Sequence, residues 1–175
     1  MVLGLLFILE DSMKVLVTGG AGFIGSHIVD ALVNMGQQVI VVDNLSHGKK
    51  EHINPQTTFY NVDISSRYLM EIFNKEKPDY VLHQAAQISV QSSIQEPLLD
   101  AQTNIQGTLN LLQCCVKYNV KKIIYASSAA IYGVPKYLGI DENHPIQPMS
   151  DYGASKYVPE IYLKVYAKLY GLCYT

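Results

Sequence analysis

Tyr152 and Lys156 stand four residues apart, so on a helix they share one face. An ammonium beside a phenol stabilises the phenolate and draws the tyrosine pKa down from its ordinary value of about 10. The phenol can then act as a general base on a hydroxyl near neutral pH. Ser127 and Ser128 follow the apolar run Ile123-Ile124-Tyr125-Ala126, and Ser128 can share the proton of the same hydroxyl. Either pattern alone arises often by chance. Their weight comes from position, because both follow elements that a layered α/β fold places at one edge of its sheet.

A second constellation explains what such a base would serve. Val15-Leu16-Val17 reads as a short buried strand, and Thr18-Gly19-Gly20-Ala21-Gly22-Phe23-Ile24-Gly25 as a turn. Ile24, Ile28, Leu32 and Met35 recur at helical spacing, Gly36 stops the helix, and Val39 to Val42 form the next strand, ending on Asp43. Gly19 permits the turn, Gly22 lets backbone approach a pyrophosphate, and Gly25 lets the helix pack closely on its strand. The helix start offers unpaired N–H groups and a partial positive charge to phosphates. Asp43 sits where a carboxylate accepts from an adenosine ribose and repels a 2′-phosphate, which favours NAD over NADP. This is a dinucleotide-binding unit, with Phe23 and Ile24 counted in its cofactor-binding turn.

The elements that must carry these groups alternate along the chain. Thr57 to Val62 reads as a third strand ending at Asp63, and Ser65 caps a helix over about 66–75. Tyr80-Val81-Leu82 is a fourth strand leading into His83-Gln84-Ala85-Ala86, whose small residues leave room for a ligand. His83 reads as a hydrogen-bonded structural group, and His47 and His52 as solvated. A helix spans about 98–118, interrupted by Asn104, which is either a structural bridge or a contact with the cofactor environment. The fifth strand is Ile123 to Ala126, and a polar loop runs to about Ser150 before the helix that opens at Tyr152. Pro159 falls early enough in that helix for it to stay intact, though bent. Apolar strands alternating with helices predict a Rossmann-type, doubly wound parallel sheet covered on both faces.

Composition bounds the rest. At 175 residues, 49% apolar and a net charge of −2, the chain is one ordinary globular domain with no basic footprint for nucleic acid. Cys114, Cys115 and Cys173 fit neither a disulfide framework nor a zinc pattern, which predicts a reducing, cytoplasmic setting and no metal site, with Cys114 and Cys115 read as inert core residues of an apolar helical stretch. The apolar run Val2 to Leu9 is too short to span a bilayer and lacks a basic leader and a cleavage site. Residues 1–12 are read as an extension, with the functional unit starting at Met13; a weak anchor is the alternative, and no membrane partner is expected.

These pieces resemble the extended short-chain dehydrogenase/reductase family, the NAD-dependent sugar epimerases and dehydratases. The resemblance rests on Thr18 to Gly25, Asp43-Asn44-Leu45-Ser46, Asp63-Ile64, His83 to Ala86, Asn104 through Gly107-Thr108, Ser127 to Gly133 and Tyr152 to Lys156, in order from Met13 to the end. Within the family, the nucleotide-sugar 4-epimerases of the UDP-glucose/UDP-galactose type are most similar. The resemblance implies Tyr152 as base, Ser128 as helper hydroxyl and Lys156 on the nicotinamide ribose. It implies that Asp63 and Ile64 flank the adenine, and that Asn44, Gln84, Ala85, Ala86 and Asn104 belong to the cofactor site. The implied substrate is a nucleotide-sugar, a UDP-hexose, epimerised through a 4-keto intermediate with NAD regenerated.

The chain departs from the pattern in two ways. Dehydratases and decarboxylases of the family carry acids after the helper hydroxyl, where Ala129 and Ala130 stand here, which favours an epimerase or a 4-keto reductase. The family also continues well beyond Thr175 with further strands and a small substrate domain, so residues 13–175 are read as a Rossmann domain incomplete at its C-terminus. A catalytically inactive NAD-binding module is therefore the alternative. The resemblance further implies a homodimer through the helices near 98–118 and 152–170, the second carrying a stripe of Tyr162, Leu163, Tyr166 and Leu169.

Overall fold

The computed structural model describes residues 12–175, so the apolar run Val2 to Leu9 lies outside the described residues. Strands and helices alternate: β1 (Lys14–Thr18), α1 (Phe23–Asn34), β2 (Gln38–Asp43), β3 (Thr58–Asn61), α2 (Tyr68–Glu76) and β4 (Tyr80–His83). Then come α3 (Val90–Gln95), α4 (Pro97–Ala101), a π-helical turn (Gln102–Gln106), α5 (Gly107–Lys117), β5 (Lys122–Tyr125), α6 (Asp151–Tyr170) and β6 (Cys173–Tyr174). All six strands run parallel in the order β3-β2-β1-β4-β5-β6. The order reverses between β1 and β4, and ligands of such sheets bind at that switch, beyond the carboxyl ends of the strands.

Alternate residues of each strand serve opposite faces. Leu16, Ile40, Val42, Val81 and Ile123 pack with Leu69, Ile72 and Phe73 of α2, Leu111 and Leu112 of α5, and Leu163 of α6. Val15, Val17, Val39 and Val41 face the other way, against Val29 and Leu32 of α1. The expected double cover is thus complete on the first face. On the second, α1 covers β1 and β2, and Leu82 and Ile124 further along the sheet stay half-buried.

Several local expectations shift. The buried side of α1 is Gly25, Ser26, Val29 and Leu32, whereas Ile24 and Met35 are exposed. The helix turns the predicted stripe by about one residue because Gly25 must face the sheet. Ser65 does not cap α2: its hydroxyl donates to Asp63 Oδ1, and Ser66 Oγ accepts from Tyr68 N instead. His52 is not merely solvated, since its Nδ1 donates to the Ala21 carbonyl at 3.2 Å. The helix foreseen over 98–118 is three segments, with α3 ahead of it. The helix α6 runs unbroken through Pro159, capped by Ser150 Oγ, which accepts from Gly153 N.

Phe73 is fully buried at the centre of the larger core cluster. Phe73→Ala should therefore lower unfolding stability by about 3–5 kcal/mol, read from urea denaturation.

Candidate functional site

The glycine turn is built by exclusion of side chains. Gly19 has φ +69°, and a Cβ there would lie 2.6 Å from Ala85 N, so the turn after β1 abuts the segment after β4. A Cβ on Gly25 would lie 2.1 Å from the Gly19 carbonyl oxygen, so only glycine lets α1 start this close to the turn. The start of α1 has neither a side-chain cap nor an acid in its first turn, which leaves its N–H groups free of a competing anion.

Above this turn opens a cleft of about 340 Å³. It is lined by Gly19, Gly22, Phe23, Ile24, Gly25, Asp43, Asn44, Asp63, Ile64, Gln84, Ala85 and Ala86, so twelve residues predicted from the sequence meet on one surface. Ser46, His47 and Gly48 close it on the Asp43 side, so His47, read as solvated, lies at its rim, and Ile88 and Thr103 line it without a sequence signal. Asp43 is buried: Oδ2 accepts from Ala21 N at 3.0 Å and Oδ1 from Leu45 N at 2.8 Å. The carboxylate that faces the cleft thus also holds the turn, and its remaining lone pairs can accept ribose hydroxyls. Asn44 donates to Asp63 Oδ2 at 2.7 Å, and hydrogen bonds from Ser65 and Asn44 outweigh burial to hold the Asp63 carboxyl below its usual pKa. An open helix start, a backbone-lined turn and two fixed carboxylates fit the adenosine and pyrophosphate of a dinucleotide.

Ser128, Tyr152 and Lys156 lie outside this lining, on the β5 side of the switch. Ser128 Oγ accepts from Ala130 N at 3.2 Å, which leaves the hydroxyl proton to donate. The turn it caps, Ala129–Tyr132, rests on the start of α6, where a Cβ on Gly153 would meet the Ala130 carbonyl oxygen at 2.7 Å. Tyr152 is anchored through its backbone N–H to Ser93 Oγ on α3, and its phenol hydrogen-bonds no described residue. Lys156 is only 4% exposed, and its Nζ sits 4.4 Å from the centre of the Tyr125 ring, whose hydroxyl donates to the Lys156 carbonyl. Burial draws the Lys156 ammonium down to about 8, against the opposing charges of Asp100 and Glu160. Among the described residues it has no hydrogen-bond or ion-pair partner, so a buried cationic donor remains for a ligand.

A polar chain joins the two regions. Thr18 Oγ1 accepts from Ala85 N, and its own proton is free to go to His83 Nδ1, 2.7 Å away. Thr108 Oγ1 gives its own proton to the Asn104 carbonyl, so His83 Nε2 is the donor across 2.9 Å. His83 is neutral with its proton on Nε2, as its structural reading required. Burial, with the charge of Lys156, pushes its pKa down to about 3. Asn104 lies at the π-helical turn, and its amide is filled from within: Oδ1 accepts from Gln87 N, and Nδ2 reaches Gln87 O, Asp100 and Ser155. Of the two alternatives for Asn104, this geometry is the structural bridge, and the residue does not line the cleft. Sequence reasoning missed Gln87, Asp100, Ser93 and Ser155, whose importance exists only once α3, α4 and α6 meet. It also missed His144, which is buried in an exposed loop, accepts from Lys136 N at 2.9 Å, and lies against Tyr132 and Tyr137.

Residues 15–175 match the model of the NAD dependent epimerase/dehydratase family. The chain is 52% identical over 161 residues to a putative UDP-glucose 4-epimerase of Methanocaldococcus jannaschii, covering 91% of this chain and 53% of that protein. Among solved structures, the Thermotoga maritima UDP-glucose 4-epimerase with UDP-glucose superposes with a TM-score of 0.91 at 50% identity, covering 93% of this chain and 53% of that one. The Thermus thermophilus UDP-glucose 4-epimerase complexed with NAD gives 0.89 at 47% identity, with the same coverage. The chain spans about half the length of the curated relatives it matches.

Two outcomes follow from the glycine turn and the neutral histidine. Gly25→Ala should cost about 1–3 kcal/mol of stability through the clash with Gly19, measured by urea denaturation. A depressed histidine pKa means the unfolded chain takes up the proton first, so stability present above pH 6.5 is lost as pH falls towards 3. The loss from this group should be about 2 kcal/mol between pH 7 and pH 5, and His83→Gln should flatten that dependence.

Proposed function

This chain belongs to the NAD dependent epimerase/dehydratase family, and we propose that its site serves the 4-epimerisation of a UDP-hexose. The single observation that carries the reading is Lys156. It is a largely buried ammonium that rests on the Tyr125 ring and that no described residue hydrogen-bonds or ion-pairs, on the same helix as Tyr152 and beside the strand end that leads to Ser128. The adenosine half of NAD is assigned to Gly19, Gly22, Phe23, Ile24, Gly25, Asp43, Asn44, Asp63 and Ile64. Gln84, Ala85 and Ala86 border its middle, and Asn104 serves it indirectly by fixing Gln87.

When bound, NAD supplies reversible hydride transfer at the sugar C4. The residues supply everything else. Lys156 holds the nicotinamide ribose through its N–H groups, and its positive charge lowers the cost of a phenolate at Tyr152. Tyr152 takes the proton of the sugar 4-hydroxyl and returns it to the 4-keto oxygen after the sugar has turned over. Ser128, its own acceptor role filled by Ala130 N, donates to that oxygen throughout. Ala129 and Ala130 follow it, so neither position offers the acid that water elimination needs. This supports an epimerase, or a 4-keto reductase, over a dehydratase.

A second copy of the chain is part of the same proposal. Of the stripe read from the sequence, Leu163 belongs to the core and Tyr162 and Tyr166 pack against it, so only Leu169 remains outward. The outward apolar line on α6 is Ile161, Val165 and Leu169, at four-residue spacing, with Leu98 of α4 also exposed. No described helix is long and apolar enough to cross a membrane. Together with two buried cysteines, this is consistent with the cytoplasmic setting proposed here.

The test is NAD binding measured beside UDP-galactose turnover on this chain. Binding with turnover supports the reading, and binding without turnover makes the chain an NAD-binding module. No binding overturns both. Where turnover is seen, Tyr152→Phe should reduce it by about 10²–10⁴-fold while NAD affinity changes little. The outward apolar line predicts a dimer by sedimentation equilibrium, weakened by Val165→Glu.

A further inference from the structure

Lys156 is enclosed by groups from four elements. Tyr125 presents its ring from β5, His83 lies on β4 as a neutral imidazole, Tyr152 and Glu160 share α6, and Asp100 comes from α4, which packs against α6. Two of these are carboxylates, and they differ in setting. Glu160 is half-exposed and accepts from the Ser127 hydroxyl, so solvent screens it. Asp100 is 1% exposed. Its Oδ1 accepts from Gln87 Nε2 at 2.7 Å and from Asn104 Nδ2 at 3.1 Å, and that same Nδ2 lies 3.0 Å from Ser155 Oγ, one residue before Lys156. Both donors are neutral amides, and both bonds end on one oxygen. Two such bonds do not offset a full buried charge, and no described residue forms an ion pair with it.

We propose that Asp100 is a positioning residue for Lys156, the buried negative charge that holds the ammonium charged and in place across the α4–α6 contact. Its functional meaning rests on the proposed role of Lys156 in holding a ribose. The electrostatics are reciprocal: each charge offsets part of the other's desolvation, and in a dry setting that coupling acts over several ångströms without contact. Burial alone moves the lysine towards its neutral form, and with both carboxylates present its midpoint lies at about 8. Of the two carboxylates Asp100 has the larger opposing effect, so its removal would lower the midpoint further and shift more of the lysine to its neutral form near neutral pH.

Asp100→Asn isolates the charge, because an amide oxygen in the place of Oδ1 can still accept from Gln87 and Asn104. The Lys156 midpoint is read by NMR of the chain labelled at lysine Cε, beside Glu160→Gln as the comparison. Asp100→Asn should lower the midpoint by about one pH unit, and by more than Glu160→Gln does. An unmoved midpoint, or a larger effect from Glu160→Gln, overturns the proposal. In the unsubstituted chain the Asp100 carboxyl carbon should show an inflection at the pH where Lys156 titrates, and a flat trace there overturns it whether or not the variant folds. NAD titrations separate the two claims. A lowered Lys156 midpoint in a chain that binds no NAD supports the charge coupling while the cofactor assignment fails.

Discussion

His83 has both ring nitrogens committed inside a sheet that leaves it 1% exposed, with Thr18 on one side and Thr108 on the other. Thr18 ends β1, His83 ends β4 and Thr108 opens α5, so one imidazole fixes the switch point of the sheet to the helix beside it. Every hydrogen in the chain has a single consistent direction, from Ala85 N–H through to the Asn104 carbonyl. A protonated ring would present donors to both Thr18 and Thr108, and the Thr18 proton would lose its acceptor on Nδ1 and have to turn away. The neutral ring, acceptor on one side and donor on the other, thus ties the end of β1 to the start of α5 beside the cleft.

The dinucleotide unit was legible because its requirements are local. Gly19 and Gly25 answer backbone constraints within seven positions of one another, and Asp43 closes the next strand. That Tyr152 and Lys156 share one helix was legible for the same reason, as an i, i+4 pair. The bridge between them was not. Thr18 and His83 are 65 residues apart, and Asn104 and Ser155 are 51 apart, so nothing in either neighbourhood announces the contact. The sequence showed an Asn interrupting an apolar helix face, and its partners come from Gln87 in the loop after β4, from Asp100 of α4 and from Ser155 of α6. Ser65 misled because a serine before a helical pattern looks like a cap, while Asp63 two residues earlier offered a stronger acceptor.

Charge is distributed unequally between the two halves of the site. The glycine-turn side carries fixed carboxylates, Asp43 and Asp63, held by backbone and amide donors. The other side carries a buried cation whose surroundings are mostly aromatic and neutral. A ligand with hydroxyls at one end, phosphates at the centre and a polar ring at the other meets a different kind of group in each place. Orientation then follows from electrostatics as much as from shape.

The π-helical turn at Gln102–Gln106 sets the phase of everything that follows it. A wider turn holds one residue more than α-helical winding would, and each residue of an α-helix advances the face by about 100°. Shortening this segment by one position would rotate α5 by that angle against α4. Leu111 and Leu112 would then leave the core, or Asp100 and Asn104 would swing away from α6. Substitutions here can be absorbed by neighbouring side chains, but a change in length cannot, so among descendants of this chain the residue count between Asp100 and Leu111 should drift far less than the residues themselves.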